Sequence, residues 1–370
     1  MSRSIRLGGA ASLLVAGALT LTACGSDNNS TGSSAPASGG ASTGSISCAS
    51  GTVTASGSTA QANAINQWVK AYQTACSGAT INYQGGGSSA GRTQFIAGQV
   101  AFAGSDAALK AADKTNADKR CAGGEAVDLP MAVGPISLEY NLSGVSNLQL
   151  SPNTVAKIFA GKIKTWNDAA IKADNPGVTL PSTGIQTVHR SDGSGTSANF
   201  SAYLHAVDPA DFSFAGASAW PGPGGQGSKG SDGVTQTVKS TSGAIGYAEL
   251  SYATNAGLPT AKVKNPAGEF VAPSTDGASK GLSTATLATG NDLKMTFDYK
   301  ATTAGAYPIY LVTYEITCTK GLPSGQAGLV KSFLTYTSSP AAQASIGTLG
   351  YAPLPTAVAT KVAGVVATIS

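Results

Sequence analysis

An arginine, an aspartate two positions on and a run of small residues behind them form the part of this chain best suited to chemistry: residues 187–197, TVHRSDGSGTS. Arg190 offers a planar guanidinium fork that matches the oxygens of phosphate or carboxylate. Asp192 is placed to hold that fork. Gly193, Ser194 and Gly195 form a tight turn ahead of a helix-compatible segment, 196–205. Such a turn aims backbone N–H groups and hydroxyls at one spot, with a helix dipole behind them, and makes an anion site. Gly-Ser-Gly alone would be only a turn; an arginine and an aspartate in the same turn change the reading.

The elements that must position this turn repeat its pattern. A strand over 51–55 passes through Ser56 to Thr59 into a helix whose Ile65, Trp68, Val69 and Tyr72 fall at i, i+3, i+4 and i+7. Thr59 sits where an N-cap is the plain expectation. A second strand, 80–84, turns through Gly85 to Ser89 into a helix over 91–98, and a third, 100–104, ends at Ser105 and Asp106. Three strand, turn and helix units can converge only if their strands are neighbours, at the carboxyl ends where open α/β sheets bind ligands. Residues 110–124 read as a charged surface loop, 126–133 as a strand and 138–142 as extended chain. Ser151 and Pro152 open a helix through Phe159. The glycine-rich run 220–230 is too long for an ordinary connection and reads as a cleft rim. Strands follow at 244–247 and 309–317, then a helix carrying Leu329, Val330, Phe333 and Leu334, and short helical segments close the chain.

The chain has 370 residues, enough for two or more lobes with cores of their own. Charged residues make up only 11% of it, with no run of Lys and Arg, which excludes a basic-patch binder of nucleic acid. Arg3 and Arg6, the apolar run 7–21 and the sequence Leu21-Thr22-Ala23-Cys24 read as a lipoprotein signal, cleaved before Cys24 with a lipid on its sulfur. The apolar run is short for a membrane span. Loss of 1–23 removes two arginines and lowers the net charge from +4 to +2, so an anion must be held by local geometry. Residues 24–45 read as the lipidated cysteine and a flexible Gly/Ser/Ala tether, which places the globular body at the extracytoplasmic face of the cell membrane. Four further cysteines, Cys48, Cys76, Cys121 and Cys318, imply two disulfides in an exported chain. Of three possible pairings, Cys48 with Cys76, which bracket the first strand and helix, and Cys121 with Cys318 are preferred. Zinc fits poorly: no Cys-x-x-Cys occurs and the only histidines are His189 and His205.

Taken together, six motifs in order resemble the periplasmic-type phosphate-binding proteins of phosphate ABC importers. They are Ser58-Thr59, Tyr83-Gln84-Gly85-x-Gly87-Ser88, Gly104-Ser105-Asp106, Lys162-Ile163-Lys164-x-Trp166-Asn167-Asp168, His189 through Thr196, and Gly243-Ala244-Ile245-Gly246-Tyr247. The resemblance spans about residues 50–350. It implies an α/β fold of the two-lobed periplasmic-binding-protein kind (type II), with two hinge crossings and a ligand cleft between the lobes. By it the first lobe takes 46–134 plus 306–370 and the second 135–305. It also implies a monomeric receptor without cofactor, metal or catalysis, binding inorganic phosphate for an ABC permease and its ATPase. Carried over by motif, ligand contacts fall on Thr59, Ala60 through its N–H, Ser88, Asp106, Arg190, Ser194, Gly195 and Thr196, with Asp192 orienting Arg190. Where Ala60 stands the family often has an aromatic, so local packing must differ. Many members also have an acid where Ala101 stands.

The chemistry of those residues agrees. A buried anion must have its oxygens saturated with donors, and the hydroxyls, N–H groups and Arg190 supply them. An ionised Asp106 only accepts, so the ligand facing it must carry a proton. Phosphate at neutral pH does; sulfate does not. Three rival readings use other features. Gly87-Ser88-Ser89-Ala90-Gly91 fits the nucleophile elbow of a serine hydrolase, with Ser89 attacking and Asp106 and His189 following in order. It lacks a His-Gly-Gly-Gly segment, and His189 should point away from Arg190 on its strand. A receptor for another small oxyanion or a sugar would share the architecture, although aromatics to stack on a sugar are only 6% of residues. A purely adhesive lipoprotein would leave three converging donor turns without purpose.

Overall fold

The computed structural model describes residues 46–370; Cys24, the expected leader and the tether lie outside the described residues. Eight strands form one sheet: β1 (Gly51–Gly57), β2 (Ala79–Gln84), β3 (Phe102–Ser105), β4 (Ala126–Tyr140), β5 (Gln186–Arg190), β6 (Gln226–Ser228), β7 (Ala244–Glu249) and β8 (Tyr310–Cys318). Their order across the sheet is β2-β1-β3-β8-β4-β7-β5-β6. β1 runs parallel to β2 and β3, and β5 runs parallel to β6 and β7. Between these parallel groups stand β8 and β4, each antiparallel to its neighbours.

The sequence reading divided β4 in two, at 126–133 and 138–142. It is one strand of 15 residues, buried throughout. Ala126 to Pro135 pair with β8, and Ile136 to Tyr140 pair with β7. Two prolines inside a central strand argue against such continuity, because each lacks a ladder donor. The chain resolves this at Pro130 with a register shift opposite Thr313 and Tyr314.

Two large apolar cores flank this crossing. One gathers Val53, Trp68, Phe95, Phe102, Val133, Tyr314 and Phe333. The other gathers Ile136, Tyr140, Trp166, Phe200, Tyr247 and Ile309. Ala278, Leu282 and Leu293 pack in the first core although the family resemblance puts their segment in the second lobe. The cysteines pair as Cys48–Cys76 and Cys121–Cys318.

Helices follow the parallel strands, α1 (Ala62–Ala75), α2 (Ser88–Ile96), α3 (Ala111–Arg120), α5 (Gly195–Val207), α6 (Gly230–Ser240) and α7 (Leu250–Ala256), while α4 (Pro152–Phe159) comes after β4. α3 replaces the charged loop expected over 110–124. Only Ala117 of it is buried, so it shows no apolar stripe. It is carried instead by Asp113 in its first turn, Lys119 and Arg120 in its last, and a Lys114–Asp118 pair at 2.7 Å. The glycine-rich run 220–230 contains β6. Thr59 is not an N-cap: α1 begins three residues later, with Gln61 in the capping position.

Candidate functional site

Five strand ends and four helix starts meet. β1 runs out at Gly57 into Ser58-Thr59-Ala60-Gln61 and α1; β2 leads through Gly85-Gly86-Gly87 to Ser88, first residue of α2; β3 delivers Asp106. On the other side of the crossing strands, β5 ends at Arg190 and turns into α5 at Gly195, and β6 ends just before α6. Every one of these is the carboxyl end of a parallel strand, so the N-terminal dipoles of α1, α2, α5 and α6 are turned to the same region.

The acid of the site is Asp106, 2% exposed. The Ser58 hydroxyl donates to its Oδ1; Thr196 Oγ1 and Ser88 Oγ donate to Oδ2 at 3.1 and 3.4 Å. Its backbone is held as firmly, the N–H by Ser88 Oγ at 3.2 Å and the carbonyl by Asn199 Nδ2 at 2.7 Å. Burial raises the carboxyl above the usual aspartate range, while the Ser58 bond, the Arg190 charge and the Thr196 and Ser88 hydroxyls pull it back.

The cation is Arg190, also 2% exposed. Asp192 takes it in a two-pronged pair, Nε to Oδ1 at 2.7 Å and Nη2 to Oδ2 at 2.5 Å. Gly230 N–H also donates to Asp192, at 3.0 Å. Burial pushes the Asp192 carboxyl up, but the Arg190 bonds and charge outweigh it and the net shift is downward. Nη1 of Arg190 reaches Ser231 Oγ at 3.4 Å, and Ser231 Oγ lies 3.0 Å from Thr59 Oγ1. Ser231 N–H donates to the same Thr59 oxygen at 3.1 Å.

Backbone at the α1 start is also engaged. Ala60 N–H, expected to face a ligand, donates to Ser58 Oγ at 3.0 Å. Tyr252 and Tyr351 donate to the Thr59 and Ala60 carbonyls, each at 2.5 Å. Ser194 caps α5 by accepting from Ser197 N–H at 3.1 Å.

Two glycines make the close approach possible. A β-carbon on Gly195 would stand 2.6 Å from Ser88 Oγ and 2.8 Å from Asp106 N. Gly87 has φ of +92° and lies under Asp192, whose Oδ2 a β-carbon there would meet at 2.4 Å. Both positions need the hydrogen.

Thus Thr59, Arg190 and Asp192 join through Ser231 in one hydrogen-bonded group, and Ser88, Asp106 and Thr196 with Ser58 form a second whose carboxylate feels the Arg190 charge, with Ala60, Ser194 and Gly195 beside them. Sequence reading missed Ser231 and Asn199, and gave Ser58 and Tyr247 no task. Gly230-Ser231 repeats the small-residue helix start of the other corners, but β6 has only three residues and was hidden in a glycine-rich run. Tyr247 Oη pairs with Ser197 Oγ at 2.6 Å and accepts Arg190 N–H at 3.3 Å, which accounts for the Gly-Ala-Ile-Gly-Tyr motif. The hydrolase constellation does not assemble. Ser89 Oγ accepts from Arg92 at 3.2 Å, whereas His189 stacks on Trp220 with ring centroids 5.7 Å apart.

Buried Arg190, four helix starts and a group of hydroxyls gather donors at one place, with the carboxylates Asp106 and Asp192 among them. Two cores joined through a shared sheet, with this site at the parallel strand ends, define a two-lobed α/β solute-receptor fold. The chain belongs to the PBP superfamily, residues 42–341 matching its domain family, and within it to the PstS phosphate-binding protein family. The phosphate-binding protein PstS 3 of Mycobacterium leprae (strain TN) is 42% identical over 355 residues, 95% of each chain. PstS 2 of Mycobacterium tuberculosis (strain ATCC 25618 / H37Rv) is 40% identical over 371 residues, 99% of each. Among solved structures, a phosphate-binding protein from Stenotrophomonas maltophilia shares the fold with a TM-score of 0.69 at 21% identity, covering 85% of this chain and 94% of the other.

Proposed function

We propose that this chain binds inorganic phosphate outside the cytoplasm and delivers it to the permease and ATPase of an ABC importer, without catalysing a reaction. The observation that carries this is that Arg190, fixed by Asp192, and Asp106, whose carboxyl feels the Arg190 charge, are both buried among donors. The guanidinium and helix starts attract an anion; the carboxylate admits only one that still has a proton to give. The names of the PstS relatives support the ligand.

In this reading Thr59, Ala60, Ser88 and Asp106 contact phosphate from a lobe made of 46–134 and 306–370. Arg190, Ser194, Gly195 and Thr196 contact it from a lobe made of 135–305. Contacts made by both lobes favour the closed form only when ligand is present. The protein acts as a monomer anchored through a lipid on Cys24. No helix among the described residues is long and apolar enough to cross a membrane.

Isothermal titration of the full-length mature protein with phosphate and with sulfate tests the assignment. Saturable binding of one phosphate per chain, with sulfate at least about 10⁴-fold weaker, is the expected result. Equal binding of the two anions would make this a receptor for another oxyanion, and no binding of either would end the reading.

A further inference from the structure

Arg92 on α2 stands one layer behind the anion site and is 8% exposed. Its Nη1 donates to Ser105 Oγ at 2.8 Å. Its Nη2 is shared between Ser89 Oγ at 3.2 Å and Ser218 Oγ at 3.3 Å. Ser105 and Ser89 adjoin Asp106 and Ser88. Ser218 comes from the opposite side, from the connection between α5 and β6. Its carbonyl accepts the Ser194 N–H at 2.8 Å. Arg92 and the α5 cap therefore grip the same residue, one through its hydroxyl and one through its carbonyl. Beside them Ser89 N–H donates to Gly193 O at 3.0 Å, a second bond across the same gap.

A guanidinium is costly to bury without a close counter-charge. Among the described residues the only carboxylate in salt-bridge range is Asp113, 3.9 Å away with its side chain 42% exposed. Burial accordingly lowers the Arg92 pKa, and Asp113 and Asp106 oppose that shift. Local packing does not require a cation here. What the fork does accomplish is geometric: Nη1 fastens to β3 while Nη2 reaches across to Ser218. A lysine has all its donors on one nitrogen and lacks the two separated arms that reach the two sides.

We infer that Arg92 is a positioning residue of the phosphate site, a clasp that ties the Ser88 and Asp106 corners to the Ser194 corner through Ser218 and so slows departure of the bound anion. None of its bonds goes to the residues assigned to the ligand. The inference rests on the phosphate-receptor reading.

Two variants test it: Ser218→Ala, which removes the acceptor across the gap and leaves Arg92 its charge and its own-side bonds, and Arg92→Lys, which keeps the charge and loses the fork. Stopped-flow measurement should show phosphate leaving about tenfold faster in each, with association within about twofold of wild type. In the double variant the effects should not add. A merely structural role would lower the melting temperature and leave the off-rate of the folded protein unchanged. Exchange of the Ser89 amide hydrogen, which bridges the gap to Gly193, should also quicken in both variants, with or without phosphate. Wild-type off-rates in both variants, or Ser89 exchange equal in all three proteins, would overturn the clasp. Failure of the wild type to bind phosphate would instead overturn the receptor reading, while Ser89 exchange would still decide the clasp.

Discussion

Thr196 Oγ1 donates to Asp106 Oδ2 at 3.1 Å, across 90 residues of sequence and from the opposite side of the crossing strands. The bond places Asp106 directly against the start of α5, where a helix dipole, Arg190 and a row of hydroxyls all favour negative charge. Under the proposed function, the task its chemistry gives such an acid is to accept the ligand's hydrogen.

Asp106→Asn is therefore expected to abolish discrimination more than affinity. The carboxamide can donate to an unprotonated oxygen, so sulfate should gain on phosphate by about 10² or more in titration calorimetry. An unaltered phosphate to sulfate ratio would remove Asp106 from this role.

Gly195→Ala separates folding from closure. Alanine suits the first turn of a helix, but its β-carbon would press on Ser88 Oγ and Asp106 N at under 3 Å. The variant should melt within a few degrees of wild type and lose about 100-fold or more in phosphate affinity, with scattering profiles that no longer compact when phosphate is added. Wild-type affinity would show that the two corners do not need to approach this closely.

Three buried glutamates predict the direction of pH dependence. Burial drives Glu139, Glu249 and Glu315 up to about 8, against the hydrogen bonds from Thr235, Ser251 and Gln61 respectively. The negative charge of Asp106 adds to the rise at Glu249 and Glu315. In the unfolded chain these groups titrate near the ordinary glutamate value, so between about pH 4.5 and 8 the folded state holds protons that the unfolded state lacks. Their stabilising contribution is full below about pH 4.5 and is lost as pH rises through 8, at up to about 1.4 kcal/mol per pH unit for each group. Asp192, shifted downward, changes state below this window. Melting temperature should fall from pH 5 to pH 8, and Glu315→Gln should flatten the slope. A melting temperature rising across that range would contradict the neutral state of these groups.

The disulfides should contribute unequally. Cys121–Cys318 spans 197 residues and Cys48–Cys76 spans 28. On the chain-entropy account, losing them costs about 5 and about 3.5 kcal/mol respectively. Denaturant melts of Cys121→Ala/Cys318→Ala and Cys48→Ala/Cys76→Ala should rank in that order. A reversed ranking would mean that local packing, such as the Arg120 contact to Cys318 Sγ, dominates over loop closure.

The strand, turn and helix units at 51–75, 79–96 and 186–207 could be read from the chain because their signals are local. Alternating or periodic apolar residues mark the elements, and glycine and serine mark the turns between them. Arg190 with Asp192 was legible for the same reason: two positions apart, they meet within one turn. What stayed hidden depends on distance. Ser231 enters the site from a strand too short to show a pattern, Asn199 reaches the Asp106 carbonyl from one turn inside α5, and β4 runs unbroken past Pro130 where its pairing with β8 shifts register. The sequence by itself determined which residues could hold an anion and that they lie at strand ends. Only the tertiary structure decided which of them meet, because the order of strands across the sheet, and hence which corners become neighbours, is set by packing between segments more than a hundred residues apart.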